Sequence, residues 1–239
     1  MTQATKGTIM TDTTGTDAAG ADVLPRLTRL LRDGKGVRIA LFGSSTIEGV
    51  GASTPAHALP AIMHAVLAPF APGGVEVIGH GVGGDDAEAM HARVGGMLAD
   101  RPDLIVWQTG SNDPLRGDDV GAFIARTRDD LAQMRASGAD VVLMDQQYCP
   151  VLETCPAFPA FREAVHHIAQ QDHVPLFTRY VRMKSWCAEL GLEPVALSPD
   201  GLHLNDRGYR LLGEALAAWL IELTGLPGGV ASCYQGDGA

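Results

Sequence analysis

The sequence lacks the features that mark membrane-spanning and nucleic-acid-binding proteins. No run of eighteen apolar residues occurs among its 239 residues, whereas a membrane-spanning helix needs about twenty. It also has no surplus of basic residues: 18 Lys and Arg face 28 Asp and Glu, which gives a formal net charge of −10. Its basic residues are scattered, and nucleic-acid binding requires a clustered basic surface. These absences predict a soluble, acidic protein with no membrane span and no nucleic-acid partner, and they leave the oligomeric state open.

Cysteine is scarce, with four residues at positions 149, 155, 187 and 233. Four cysteines permit three complete pairings, and Cys149 and Cys155 are close enough in sequence for a loop disulfide. Their spacing is not that of a zinc site. The N-terminal residues also lack the basic start and apolar middle of a secretion signal. We therefore expect free thiols, no bound metal and a cytoplasmic protein.

The chain length suits one domain with a full core. Residues 1–22 are rich in Thr, Ala, Gly and Asp and offer almost nothing to bury, so they are interpreted as a disordered tail. Residues 23–225 are predicted to form the domain. Residues 226–239 are loop-like and are interpreted as a C-terminal tail.

Apolar periodicity predicts strands and helices in alternation along residues 37–225. Compact apolar runs typical of strands covered on both faces occupy 37–43, 74–81, 103–110, 140–147 and 174–178. Segments with helical spacing of apolar residues occupy 55–70, 85–100, 120–138, 160–173, 180–191 and 205–225. This alternation predicts an α/β fold with a mostly parallel sheet between two layers of helices.

Polar residues follow the predicted strands, where ligands bind in such folds. Ser44 and Ser45 follow the first strand, "GVGGDD" the second and "TGSNDP" the third. "SPDGLHLNDRGY" precedes the final helix and contains Asp200 and His203 three residues apart. We expect these four segments to meet at one edge of the sheet.

In this order the blocks "FGSSTIEGVGA", "GHGVGGDD", "WQTGSNDP" and "SPDGLHLNDRGY" resemble the SGNH hydrolases, also called the GDSL esterase and lipase family. The resemblance implies a flavodoxin-like, three-layer α/β/α sandwich with a mostly parallel five-stranded sheet. It further implies that Ser45 is the nucleophile, that Gly84 and Asn112 complete an oxyanion hole with the Ser45 N–H, and that Asp200 and His203 are the acid and base.

The residue types suit that chemistry independently of the resemblance. A serine hydroxyl needs an adjacent base to act as a nucleophile, and His203 can accept the proton of Ser45. Asp200 can fix the imidazole tautomer and stabilise the imidazolium. N–H donors from Ser45, Gly84 and Asn112 can meet the charge that develops on the acyl oxygen.

Two positions depart from the family pattern. The first block usually reads Gly-Asp-Ser, whereas this chain has Gly43-Ser44-Ser45, and the second block commonly begins with Asn, where this chain has Gly79. Neither position carries a proposed chemical role, but both bear on substrate choice. Ser44 and Ser45 taken alone would be read as helix caps.

A dinucleotide-binding site is the alternative suggested by Gly79, Gly81 and Gly84, which spell G-x-G-x-x-G about twenty residues before Asp103. The ribose-binding acid should end the next strand, however, and Asp103 begins it. We therefore prefer the hydrolase interpretation.

The other histidines and the acidic pairs are interpreted as structural. His57, His64 and His91 have no acidic partner at a telling spacing, and the pairs Asp85–Asp86 and Asp118–Asp119 are interpreted as solvated helix starts, with no metal site.

The sequence thus predicts a serine esterase that needs no cofactor and acts on small-molecule esters through an acyl-serine intermediate. Short acyl chains are expected, including O-acetyl groups on carbohydrate, because no clear lipid-binding apolar segment is present. Tyr148, in the loop after the fourth strand, is a candidate substrate contact. An acyltransferase with the same triad and a binding module that has lost turnover are the alternatives.

Overall fold

Five parallel strands form one sheet in the order β2-β1-β3-β4-β5. The structure is a computed structural model that describes residues 23–226. The strands are β1 Val37–Gly43, β2 Val75–Gly81, β3 Leu104–Gln108, β4 Asp140–Met144 and β5 Leu176–Phe177. This strand order is flavodoxin-like, as the sequence predicts. The predicted tails at 1–22 and 226–239 lie outside the described residues except for Leu226, and so does Cys233.

Helices cover both faces of the sheet. They are α1 Pro25–Arg32, α2 Ser45–Glu48, α3 Leu59–Leu67, α4 Ala87–His91, α5 Val94–Leu98, α6 Asp113–Arg116, α7 Val120–Ala136, α8 Pro150–Glu153, α9 Phe158–Gln171, α10 Arg179–Leu190 and α11 Asp206–Thr224. Within the described part of the chain, no helix is both long enough and apolar enough to cross a membrane.

The core lies on both sides of the sheet, because successive strand residues point to opposite faces. In β1, Ile39 and Leu41 pack with the core formed by α1, α3, α10 and α11, whereas Ala40 and Phe42 pack with α4, α5 and α7. Val106 and Trp107 divide in the same way in β3. The central strands are thus buried on both faces, which explains why they read as continuous apolar runs.

The single helix predicted over residues 85–100 is wrong. Two short helices, α4 and α5, occupy this segment, with a turn at Ala92 and Arg93 between them. The Arg93 side chain turns back toward the sheet and donates to the Asp85 carboxylate at 2.7 Å. Gly95 and Gly96 follow, and glycine weakens a helix interior. Helix α1 and the short helices α2, α6 and α8 were not predicted from periodicity, because four to eight residues show too little of a helical repeat.

Helix α2 lies directly against β2 because Gly81 has no side chain. A Cβ atom at Gly81 would overlap the backbone of Ile47 and Glu48. Gly43, at the end of β1, is equally constrained, since its Cβ would approach both Gln108 Oε1 and Ile47 Cγ1 to 2.8 Å. These glycines fix the helix that begins at Ser45 against the carboxyl ends of β1 and β2.

Candidate active site

Ser45 is the first residue of α2 and follows β1 after a single intervening residue. It is 7% exposed, and its N–H belongs to the first turn, whose donors have no intrahelical partner. Ser44 occupies the N-cap position but makes no side-chain capping bond. Its hydroxyl instead donates to Gln108 Oε1 at 3.2 Å. The capping role considered for Ser44 is therefore wrong.

Gly84 and Asn112 lie in neighbouring loops at the same edge of the sheet. Gly84 adopts φ of +82°, in the left-handed region that favours glycine, and its carbonyl accepts from Arg116 at 2.7 Å. Asn112 Nδ2 donates one hydrogen bond to the Asp85 carbonyl at 2.8 Å. Since an amide nitrogen carries two hydrogens, this bond orients the Asn112 side chain and leaves one N–H for a ligand.

Asp200 and His203 are hydrogen-bonded to each other. His203 Nδ1 lies 2.6 Å from Asp200 Oδ2, and Asp200 Oδ1 accepts from the backbone N–H groups of Leu202 and His203 at 2.9 and 2.7 Å. Burial alone would raise the pKa of Asp200, but these hydrogen bonds outweigh it and lower the pKa to about 2. The carboxylate is thus ionised at neutral pH and holds a proton on His203 Nδ1, so that Nε2 carries the free lone pair.

The turn bearing His203 is docked on the segment that follows Ser45. Tyr209, fully buried in α11, donates to the Val50 carbonyl at 2.8 Å. Asp206 accepts from the backbone N–H and hydroxyl of Ser53 at 2.8 and 2.6 Å. Gly51 is in such close contact with Leu204 that a Cβ there would overlap the Leu204 carbonyl oxygen. Two segments separated by 153 residues at the Ser53–Asp206 contact therefore pack together.

The loop after β4 supports the same turn from its other side. Val151 donates its backbone N–H to the Gly201 carbonyl at 3.0 Å, and Leu202 packs against the apolar cluster formed by Cys149, Leu152 and Phe158. Tyr148 contacts Tyr180 edge-on, with 5.4 Å between ring centroids. Its role as a substrate contact stays a prediction.

A groove of about 780 Å³ lies beside α2. Its lining includes Ile47 and Glu48 of that helix, Gly79 and Gly81 of β2, and Pro55 and Pro60. The groove adjoins the helix that carries Ser45, but its lining includes none of the predicted site residues.

Asp113, next to Asn112, is a buried carboxyl group that is only partly satisfied. It is 2% exposed; its Oδ1 accepts from Ala87 N–H at 2.8 Å, and its Oδ2 is buried without a hydrogen-bond partner among the described residues. Burial raises the pKa of Asp113 to about 6, although the hydrogen bonds from the Ala87 and Asp113 backbone N–H groups act in the opposite direction.

We expect Asp113→Asn to flatten the dependence of stability on pH. The folded pKa of about 6 lies above the ordinary value of 3.8, so the unfolded chain ionises first and the contribution of Asp113 to stability falls as the pH rises between these values. The resulting decrease in the free energy of unfolding is on the order of 3 kcal/mol. Asparagine keeps the oxygen that accepts from Ala87 but does not titrate.

Urea denaturation between pH 4 and 7 measures this effect as the difference between the native chain and the variant. Glu163→Gln, an exposed site on α9, is the control. Its free energy of unfolding should change with pH with the same slope as that of the native chain. A slope identical in the native and Asp113→Asn chains would contradict the prediction.

Several acidic residues and histidines have partners that sequence spacing did not reveal. Asp86 and Asp119 do cap helices, accepting from Ala89 and Ala122 N–H. Asp85, however, is no solvated helix start, because it pairs with Arg93 and its side chain is largely buried.

Two of the histidines that have no acidic partner at a telling sequence spacing do have one in the fold. His91 Nδ1 lies 2.5 Å from the buried Asp130, and His57 Nδ1 lies 3.1 Å from Asp206. His91, Asp129 and Asp130 also form the one group of three or more side chains among residues 23–226 whose spacing could hold a metal ion. The direct His91–Asp130 hydrogen bond accounts for this arrangement without an ion. These pairs join elements that are distant in sequence, so residue spacing could not identify them.

Asp103 lies at the opposite edge of the sheet from Gly84. Its N–H donates to the Arg38 carbonyl before β3 begins, and its carboxylate accepts from Arg26 and from the Arg38 N–H. Asp103 thus precedes β3, as predicted, and does not stand where a dinucleotide fingerprint needs its ribose-binding acid.

Cys149, Cys155 and Cys187 are free thiols, as expected for these three positions.

The parallel sheet of order 2-1-3-4-5 between two layers of helices is the architecture of the SGNH hydrolase class of α/β proteins. The sequence profile of the Non-GDSL lipase-like family matches residues 12–225. The chain belongs to this family.

Solved structures of esterases share the fold. The acetyl xylan esterase AlAXEase superimposes with a TM-score of 0.67 at 19% identity, over 77% of this chain and 99% of that one. A lipase/acylhydrolase from Enterococcus faecalis gives 0.65 at 22% identity, over 79% and 96%. Axe2, an acetylxylan esterase from Geobacillus stearothermophilus, gives 0.66 at 20% identity, over 81% and 96%. No curated protein shows significant similarity. These likenesses confirm the predicted fold, and the family supports ester hydrolysis as the general activity.

The prediction missed a set of buried polar residues behind Ser45, including Gln108, Gln147 and Arg179. Gln108 and Gln147 were detectable, because each lies among the last three residues of a predicted strand, 103–110 or 140–147, at the edge where the site was expected. Arg179 carries no such signal, since an arginine at the start of a helix is ordinarily solvated.

Proposed function

We propose that this protein is a serine esterase in which Ser45 is the nucleophile and His203, oriented by Asp200, is the general base. The observation that carries the proposal is the 2.6 Å hydrogen bond between Asp200 Oδ2 and His203 Nδ1, on a turn docked against the segment after Ser45. This pair supplies an imidazole of fixed tautomer at the edge where β1 presents a serine.

In the first half of the reaction, Ser45 Oγ attacks the ester carbonyl carbon while His203 Nε2 accepts the hydroxyl proton. The carbonyl oxygen gains negative charge and is met by the N–H groups of Ser45 and Gly84 and by the second N–H of Asn112. The loss of one such donor typically lowers turnover roughly 10²- to 10³-fold. Collapse of the tetrahedral intermediate breaks the bond to the alcohol oxygen, which receives the proton from His203.

In the second half, water replaces the alcohol. His203 accepts a proton from the water as its oxygen attacks the acyl carbon, and the same three donors stabilise the second tetrahedral intermediate. Its collapse returns the proton to Ser45 Oγ and releases the carboxylic acid. Every step uses groups of this chain and no cofactor.

Short acyl esters, including O-acetyl groups on carbohydrate, are the proposed substrates. Membership of a lipase-like family supports an ester, and the fold shared with acetyl xylan esterases supports the acetyl group. Rates on p-nitrophenyl acetate, butyrate and octanoate and on acetylated xylan would rank these candidates. Adding glycerol as an acceptor would reveal acyl transfer as a glyceryl ester product.

A fluorophosphonate probe tests the proposed nucleophile directly. We expect one equivalent to react with the native chain, and tryptic mass spectrometry should place the phosphonate on Ser45. Because attack requires the base, His203→Ala should react far more slowly. Modification of Ser44 in place of Ser45, or no modification of the folded chain, would contradict the proposal.

A further inference from the structure

The residues on either side of Ser45 are joined by a ring of buried hydrogen bonds. From Ser44 the ring runs through Gln108 at 3.2 Å, Ser111 at 3.1 Å and Gln147 at 3.0 Å. It continues from Gln147 to Arg179 Nη2 at 2.6 Å and returns from Arg179 Nη1 to Thr46 Oγ1 at 3.1 Å. The loops after β1, β3 and β4 thus meet helix α10 behind the proposed nucleophile.

The donor and the acceptor of each hydrogen bond in this ring can be assigned by starting from Arg179. Arginine has only donors, so the Gln147 atom that faces Arg179 must be the oxygen. Ser111 then donates to the same oxygen and accepts from Gln108 Nε2. Gln108 Oε1 is left to face Ser44, where it accepts both the backbone N–H and the hydroxyl. One arrangement of donors and acceptors satisfies the ring.

Arg179 is completely buried, and its three hydrogen bonds go to neutral acceptors, the third being the Asp145 carbonyl at 3.0 Å. Burial lowers the pKa of Arg179 to about 10, so the guanidinium stays charged at neutral pH. A buried cation is costly unless its hydrogen bonds are satisfied. The need to satisfy the Arg179 N–H groups therefore holds the Thr46 hydroxyl and the Gln147 amide oxygen in the positions where they accept from the guanidinium.

We propose that Arg179 is a positioning residue for catalysis, which acts through the ring Thr46–Arg179–Gln147–Ser111–Gln108–Ser44 to hold Ser45 at its attacking position. The proposal rests on the proposed esterase function. Arg179 touches neither substrate nor Ser45; it fixes the residues before and after Ser45 from one rigid guanidinium plane. A displacement of about 1 Å at a reacting group can cost 10²-fold in rate, so a small slip of the N-terminal turn of α2 should suffice to impair attack.

Two substitutions at Arg179 distinguish the effect of its hydrogen bonds from the effect of its long side chain. Arg179→Met keeps the apolar stem but removes all donors, and kcat for p-nitrophenyl acetate should fall about 100-fold with KM changed less than about twofold, since ground-state binding is untouched. Arg179→Lys keeps the charge and reaches fewer partners. It should recover part of the lost kcat.

Met134→Ala is the control for loss of stability, because Met134 is a buried residue of α7, which packs on the other face of the sheet from α10. It should lower the Tm but leave kcat per folded molecule near the native value. All chains are assayed below their Tm, with folded fractions measured by circular dichroism. The rate of phosphonylation of Ser45 gives a second readout, which should fall in parallel with kcat in Arg179→Met.

The inference would be overturned if Arg179→Met kept the native kcat and the native rate of phosphonylation per folded molecule. It would also be overturned if Arg179→Lys recovered none of the kcat that Arg179→Met loses. If Arg179→Met does not fold, Gln108→Leu tests the ring from its other end and should show the same fall in kcat at constant KM; a native kcat in that chain would overturn the inference. Failure of the esterase function itself is distinct: the native chain would then be inactive, or Ser45→Ala would match it.

Discussion

Replacement of Ser45 by alanine should lower kcat for p-nitrophenyl acetate by roughly 10⁴- to 10⁶-fold. The variant retains the oxyanion donors and the Asp200–His203 pair but has no oxygen to form the acyl intermediate. Reaction then requires direct attack by water at a site shaped around a covalent step. Steady-state rates of purified native and Ser45→Ala chains measure the effect, after any contaminating esterase has been excluded by a mock purification.

Ser44→Ala is the matched comparison, because it removes a neighbouring hydroxyl whose structural partner is Gln108. The backbone N–H of residue 44 can still donate to Gln108 in that variant. We expect it to lose part of the activity while remaining at least 10²-fold faster than Ser45→Ala. The reverse ranking would assign the nucleophile to Ser44, and equal rates for native and Ser45→Ala chains would end the serine-esterase proposal.

The second large effect is expected at His203. His203→Ala removes the group that accepts the Ser45 proton, and kcat should fall roughly 10³- to 10⁵-fold. The pH profile adds a diagnostic signature. In the native chain kcat/KM should show the rising limb of a reaction that needs an unprotonated general base, and this limb should disappear in the variant.

His167→Ala is the control for the loss of a histidine, since His167 lies exposed on α9. It should keep the native rate and the native pH profile. A His203→Ala chain that is folded and still shows the rising limb would place the general base elsewhere in the molecule.

The fold was predictable because the central strands leave clear apolar signals. Residues such as Ile39, Phe42 and Trp107 are buried on alternate faces of one sheet, so the strands read as unbroken apolar runs, and the helices between them show a clear amphipathic period. The break between α4 and α5 was not predictable, since it depends on the tertiary bond from Arg93 to Asp85.

The candidate site was predictable where chemistry coincides with a strand end. Ser45 and Asn112 follow strands directly, and Asp200 and His203 are close enough in sequence for their contact to be foreseen. The support behind them was not predictable. Arg179 reaches Thr46 from 133 residues away, and no spacing in the chain encodes that approach. Sequence reasoning therefore identified the proposed reacting groups but not the buried groups that hold them.

The docking of Tyr209 and Asp206 onto residues 50–53 also sets the order in which a working enzyme can be assembled during synthesis. All five strands, through Phe177, precede residues 200–209 in the chain. A truncated chain can therefore contain every strand of the sheet and still lack the imidazole. On the proposed mechanism, no product that ends before His203 cleaves esters, and enzymatic turnover therefore reports chains in which the C-terminal turn is present and docked.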